Sequence, residues 1–176
     1  MVTFISHSDA ETQALGKTWG GSAKRGLVIA LCGELGAGKT QLVKGIAIGL
    51  GIPARVHSPT FTLLNIYHGG RLDLFHIDLY RLESRDQVRE AGLEEYFHPD
   101  GLAVIEWADR WFGSVNTALL DSKSVSRQSS ASGPTFDVTG TGKVCFTERL
   151  PAHFLWVQIE SISETQRRIL YEDFSA

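Results

Sequence analysis

Residues 33–40 read GELGAGKT, which places Gly33, Gly38, Lys39 and Thr40 in the register G-x-x-x-x-G-K-[ST], and no other feature constrains the fold as tightly. The flanks turn the pattern into a structural statement. Upstream, residues 27–32 (LVIALC) form an uninterrupted apolar run with β-branched members, which predicts a strand buried on both faces of a parallel sheet. Downstream, Leu42, Ile46 and Leu50 recur every four residues before Gly51, which predicts an amphipathic helix closed by a glycine. Strand, glycine loop and helix then follow in the order a phosphate-binding loop needs. Backbone N–H groups of the loop and the positive end of the helix macrodipole point at an anion. Lys39 can bridge the β- and γ-phosphates of a nucleotide, and the Thr40 hydroxyl can ligate Mg²⁺. Glu34, Leu35, Gly36, Ala37, Gly38, Lys39, Thr40 and Gln41 are therefore the candidate nucleotide contacts of the loop.

At 176 residues, 43% hydrophobic and 21% charged, the chain has room for one core and is short for two, so one domain over residues 1–176 is expected. No apolar run approaches the ~20 residues of a membrane span. The N-terminus, MVTFISHSDAETQALGK, lacks the basic region and long apolar stretch of a signal peptide, which makes the cytoplasm the expected compartment. Two cysteines, Cys32 and Cys145, agree with a reducing setting, and Cys32 at the end of a buried strand reads as a small core residue. A net charge of −3 gives no electrostatic footprint for independent nucleic-acid binding, although Lys17, Lys24 and Arg25 can form a local basic patch.

Along the chain, Ser8-Asp9-Ala10-Glu11 has capping-box spacing ahead of a helix carrying Ala14 and Leu15, with Gly20-Gly21 as its expected end. Residues 61–67 and 72–77 are strand-like and are separated by His68, Gly69, Gly70 and Arg71. A two-residue Gly-Gly turn makes them a hairpin with Phe61 across from Asp78 and Thr60 across from Leu79, which brings Ser58-Pro59-Thr60 beside Asp78. A second capping box, Ser84-Arg85-Asp86-Gln87, starts a short helix ending near Gly92. Residues 102–105 form another fully apolar strand, which leads into Glu106-Trp107. Residues 114–142 are rich in Ser, Thr and Gly and read as a polar loop insertion, with 121–134 as a mobile loop at its centre. Strands return at 143–146, 153–160 and 167–174, the last two as antiparallel partners.

In order, GELGAGKT at 33–40, SPTFTL at 58–63, HIDLYRL at 76–82 and VIEW at 104–107 give the chain a specific likeness. It resembles the TsaE family, formerly YjeE: small bacterial P-loop ATPases of the tRNA threonylcarbamoyladenosine pathway. The likeness covers residues 1 to about 112 and, more faintly, 150–174, where LPA precedes two strands. It departs in two places. The family commonly continues its last motif as Trp-Pro-Glu, where this chain has Ala108-Asp109 after Trp107. The family also passes quickly to its final strands, where this chain inserts roughly 30 polar residues, a length unusual inside a compact domain. The resulting expectation is an α/β fold: a single three-layer P-loop NTPase domain with a mixed, partly parallel central sheet and a β-hairpin after the phosphate-loop helix. The resemblance implies ATP and Mg²⁺ as cofactors, and a part in modifying the adenosine 3′ of the tRNA anticodon. TsaB and TsaD are the implied partners, with tRNA met through their complex rather than directly. No membrane partner is implied.

Several residues outside the loop then become candidates for the chemistry. Similarity to the family implies a part for Asp78 in Mg²⁺ or water positioning; its alternative is a turn or capping aspartate. Glu106 follows a buried parallel strand, at the carboxyl end where ligands collect in open α/β sheets. Hard Mg²⁺ takes oxygen ligands and keeps several waters, so Thr40, Glu106 and nucleotide phosphates suffice to hold it. Lys39, Asp78 and Glu106 are thus the candidate catalytic residues. Thr60 reads either as a switch hydroxyl sensing the γ-phosphate or as a cap on the hairpin. Trp107 either stacks over the nucleotide or anchors the core. Arg81 and Arg85 read as solvated unless phosphate or a partner engages them, and His57, His68 and His76 lack metal-ligand spacing and receive no catalytic role. With no arginine finger in sight, turnover by the isolated chain is expected to be slow until a partner completes the site. Two rivals share the same loop: a small-molecule or nucleoside kinase, and a non-hydrolysing module in which ATP only gates partner binding.

Overall fold

Alternate residues of Leu27–Cys32 (β2) face opposite layers, because side chains along a strand alternate and this strand has no polar position to send to solvent. Val28, Ala30 and Cys32 pack into one core, and Ile29 and Leu31 into another. The computed structural model describes residues 1–113, 125–130, 133–138, 142–145 and 150–175. Around β2 the chain adds Val2–Ser6 (β1), Leu64–Tyr67 (β3), Leu74–Asp78 (β4), Leu102–Glu106 (β5), His153–Ser161 (β9) and Arg167–Asp173 (β10). These make a seven-stranded sheet in the order β1-β10-β9-β2-β5-β4-β3. The central strands β9, β2, β5 and β4 run parallel, and β3, β10 and β1 are antiparallel to their neighbours, so the sheet is mixed and partly parallel.

Asp9–Ser22 (α1) and Lys39–Leu50 (α2) supply one outer layer. The other holds Arg85–Glu90 (α3), a 3₁₀ turn at Glu94–Phe97 and Asp109–Phe112 (α4). The caps stand where their sequences place them: Ser8 Oγ accepts from Glu11 N at 3.2 Å and Ser84 Oγ from Gln87 N at 3.3 Å. Gly51 ends α2 in the left-handed conformation. Gly20-Gly21 does not end α1, which runs on to Ser22. Gly20 serves packing instead. A Cβ on Gly20 would lie 2.1 Å from the Ile46 carbonyl oxygen, and one on Gly45 would lie 2.1 Å from that of Gln13. The absent side chains let the backbones of α1 and α2 meet, and that contact holds α1 beside the phosphate-loop helix.

The hairpin after α2 forms in a different register from the expected one. Ile77 pairs with Leu64 and His76 with Asn65, two positions away from the Gly-Gly register. Tyr67 pairs with Leu74, so residues 68–73 make a longer connection that is pinned to α2 through Arg71 N donating to Leu50 O at 2.9 Å. Residues 61–63 leave the strand because Leu63 takes a positive φ of 65° and its N–H turns back to Pro59 O at 2.7 Å.

The pairing of β9 with β10 is antiparallel as expected, with Ile169 opposite Ile159. Within the stretch read as a polar loop, the described residues are strands: Val125–Ser130 (β6), Gly133–Val138 (β7) and Gly142–Cys145 (β8), which form a separate antiparallel sheet. Ser and Gly dominate the composition there, and that obscures the pairing of β-formers such as Phe136 with Val144. The rest of the loop expectation, at 114–124, 131–132 and 139–141, lies outside the described residues. Among the described residues, no helix is long and apolar enough to cross a membrane.

Candidate functional site

The phosphate loop leaves β2 at Gly33, whose φ of 143° and close backbone approach to β9 exclude a side chain: a Cβ there would lie 2.3 Å from Ile159 O. It enters α2 at Gly38, the left-handed N-cap. Lys39 is 5% exposed, and its Nζ donates to the Gly33 and Glu34 carbonyls at 2.8 and 2.9 Å. The same ammonium lies 4.1 Å from the centre of the Trp107 ring. Burial pushes the Lys39 amine below its ordinary range, and the nearby Glu106 and Asp78 charges pull it back. The lysine is therefore held on neutral carbonyls that a phosphate oxygen can replace.

Strands β4 and β5 bring two carboxylates to the same end of the sheet, since Asp78 and Glu106 are register partners. Both are almost fully buried. Glu106 Oε1 accepts from Thr40 Oγ1 at 2.9 Å and lies 2.8 Å from His76 Nε2. Asp78 Oδ2 accepts from Thr60 Oγ1 at 2.5 Å and from Ser58 Oγ at 3.4 Å, while Oδ1 accepts from Tyr80 N at 2.9 Å. Thr60 thus reaches Asp78, but through the 59–63 turn rather than through strand pairing. Trp107 has a positive φ of 59°, rare for a residue with a side chain, and packs on Tyr80 with ring centres 5.1 Å apart.

These groups border an open cleft of about 360 Å³. Of the expected residues, Leu35, Gly36, Ala37, Gly38, Lys39, Thr40, Gln41, Thr60, Asp78, Glu106 and Trp107 line it. Glu34 does not, and contributes only its carbonyl to Lys39. The Gln41 side chain turns to Asp9, donating to Oδ2 at 2.6 Å. Arg81 and Arg85 stand away from the cleft, Arg81 over the Phe61 ring and Arg85 on the Trp111 carbonyl. A larger cleft, about 550 Å³, lies by Trp19, Leu27 and Tyr171, but it contains neither the loop nor the carboxylate pair.

Sequence reasoning missed His76 and Arg167. His76 carried a usable signal, because it precedes Asp78 by two residues on one strand and so shares its face. Arg167 carried none: only the fold brings β10 to the loop, where Arg167 Nε donates to Ala37 O at 3.1 Å. Among the described residues no group of three or more His, Cys, Asp or Glu side chains is set to hold a metal. Oxygen donors nevertheless suit Mg²⁺, which needs few protein ligands when phosphates supply the rest, and Thr40 and Glu106 offer a hydroxyl and a carboxylate in contact.

Residues 6–136 match the family model described as threonylcarbamoyl adenosine biosynthesis protein TsaE. The chain is 50% identical over 98 residues to the tRNA threonylcarbamoyladenosine biosynthesis protein TsaE of Bacillus subtilis, a match covering 56% of this chain and 61% of that one. It is 46% identical over 106 residues to the protein of the same description from Treponema pallidum, covering 60% of this chain and 78% of that one. The fold is similar to the crystal structure of YdiB from Bacillus subtilis, with a TM-score of 0.62 and 30% identity, over 97% of this chain and 83% of that one.

Proposed function

We propose, from the premise that this chain belongs to the TsaE family of threonylcarbamoyl adenosine biosynthesis proteins, that it binds and hydrolyses ATP in the service of threonylcarbamoyladenosine modification of tRNA. The observation that carries the ATPase half is the meeting of Lys39, Thr40, Asp78 and Glu106 in one cleft at the carboxyl ends of adjacent parallel strands. The tRNA half rests on the family. TsaB and TsaD are the partners this reading assigns, and the tRNA is met through them.

Phosphoryl transfer to water asks for positioning and charge stabilisation more than covalent chemistry. Loop amides and Lys39 grip the phosphates, with Lys39 exchanging the Gly33 and Glu34 carbonyls for phosphate oxygens. Thr40 and Glu106 would hold Mg²⁺, whose charge offsets that of the phosphate oxygens. Asp78 is fixed by Tyr80 N on one oxygen and by Thr60 on the other, and it is the group that orients the attacking water. Thr60 shares that carboxylate, so a shift of the 59–63 turn on nucleotide binding is felt directly at Asp78. Trp107 covers Lys39 and shields the site from bulk water.

Reconstituted threonylcarbamoyl transfer to tRNA, with TsaB and TsaD present and this chain added or withheld, tests the reading. Sustained modification that depends on the chain and on ATP is expected. Equal modification without it overturns the assignment.

A further inference from the structure

Residues 57–62 carry Thr60 to Asp78 without belonging to the sheet. The chain parts from the β3 ladder at Leu63, whose positive φ turns it aside, and the N–H groups of Thr62 and Leu63 both close back on Pro59 O at 3.0 and 2.7 Å. Those bonds are internal to the turn. Val56, just upstream, is buried in the core, and Leu63 O, just downstream, accepts from Asp78 N at 3.0 Å. Between these two anchors, among the described residues, the backbone of 57–62 is hydrogen-bonded to the rest of the fold only at His57.

The groups that hold His57 come from β3. Asn65 and Tyr67 stand two apart on that strand and so share one face. Tyr67 Oη accepts from His57 N at 3.1 Å and donates to His57 O at 3.3 Å. Asn65 Nδ2 donates to the same carbonyl at 3.4 Å and to Tyr67 Oη at 3.3 Å, while Asn65 Oδ1 accepts from Thr62 Oγ1 at 3.0 Å. The phenol oxygen thereby commits its one proton and both lone pairs to this contact. Two bonds to one residue fix the direction of the chain as well as its position. Ser58 and Thr60 follow at once, with their hydroxyls 2.7 Å from each other and both directed to Asp78 Oδ2.

From this geometry we infer that Tyr67 is a positioning residue for hydrolysis, clamping His57 so that Thr60 meets Asp78 in one fixed arrangement. The inference rests on the ATPase reading above, in which Asp78 orients the attacking water. Tyr67 does not line the nucleotide cleft, and the groups that grip phosphate belong to the loop and α2. It therefore bears on the chemical step and leaves affinity alone. Its effect is partial, because Tyr80 N holds Asp78 Oδ1 whether or not the clamp is present.

The test compares the full-length wild type with Tyr67→Phe, Thr60→Ala, the double variant and Tyr171→Phe, which loses a tyrosine hydroxyl beside Trp19 on the far side of the sheet. ATP hydrolysis is measured with TsaB and TsaD present, ATP affinity by calorimetry and backbone mobility by amide hydrogen exchange. Tyr67→Phe is expected to slow hydrolysis about tenfold, the scale of one lost hydrogen bond, with Kd for ATP unchanged. Exchange should quicken at the His57 amide and not in β4. The double variant should be no slower than Thr60→Ala alone, since Tyr67 acts through Thr60. Tyr171→Phe should match wild type in every measurement. Unchanged exchange at His57 in Tyr67→Phe, losses that multiply in the double variant, or an equal loss in Tyr171→Phe overturns the assignment of Tyr67. A wild type that hydrolyses no ATP would instead overturn the ATPase reading, and the exchange measurement would still decide whether the clamp exists.

Discussion

Thr40 donates its hydroxyl to Glu106 Oε1 at 2.9 Å, so the first turn of the phosphate-loop helix and the end of β5 are joined at the point where a metal would part them. His76 meets the same oxygen from β4. Three elements distant in sequence thereby share one carboxylate oxygen, and the consequences can be measured.

Glu106→Gln and Asp78→Asn should each lower the hydrolysis rate by about a hundredfold or more while changing ATP affinity far less. Grip on the triphosphate comes from loop amides and Lys39, whereas metal and water placement matter most in the transition state. Rate and Kd measured on the same preparations separate the two effects.

His76 is fully buried with Nδ1 lacking a partner among the described residues, so its contribution is concentrated in Nε2 on Glu106. His76→Phe should destabilise the fold by about 1–3 kcal/mol, the cost of leaving a buried polar group short of a partner. His76→Gln, which can still donate, should recover part of both stability and turnover. Chemical denaturation alongside phosphate release checks this.

Helix packing gives a paired prediction. Gly45→Ala forces a Cβ to within 2.1 Å of the Gln13 carbonyl and should cost about 2 kcal/mol or more by overpacking. Gly21→Ala meets nothing within 4 Å inside α1 and should be neutral or stabilise by up to about 1 kcal/mol. Thermal melts of the two variants should therefore move apart.

Burial raises the Cys32 thiol well above its ordinary range, and Asp109 adds to the rise. A group with a raised folded pKa contributes stability that is whole below its unfolded pKa and is lost as pH climbs past it. Above about pH 8.5, wild type should therefore lose stability more steeply than Cys32→Ala, with the two slopes equal at neutral pH. Parallel slopes across the alkaline range would count against a buried, protonated thiol.

What the sequence disclosed was local. The phosphate loop, the Ser8 and Ser84 caps and the Gly51 stop each rest on residues within one turn of one another, and each is found where it was expected. Gly20-Gly21 misled because glycine marks a helix end and a close helix contact equally well, and only the position of α2 decides between them. The contact of Thr60 with Asp78 was foreseen by an incorrect route. The Gly-Gly turn suggested a register two residues from the observed one, and the positive φ at Leu63 curls the chain so that Thr60 still arrives. Arg167 was beyond reach, because 130 residues separate it from Ala37 and only the sheet order brings the two together.

The central claim is that one cleft holds a nucleotide whose γ-phosphate and metal face Asp78 and Glu106. A crystal structure of the chain with Mg²⁺ and a non-hydrolysable ATP analogue tests it most directly. The account predicts Thr40 and Glu106 at the metal or its waters, Lys39 moved from the Gly33 and Glu34 carbonyls onto phosphate, and Asp78 within reach of a water beside the γ-phosphate. Asp78 and Glu106 both turned away from the γ-phosphate and its metal, with no water bridging them, would contradict it.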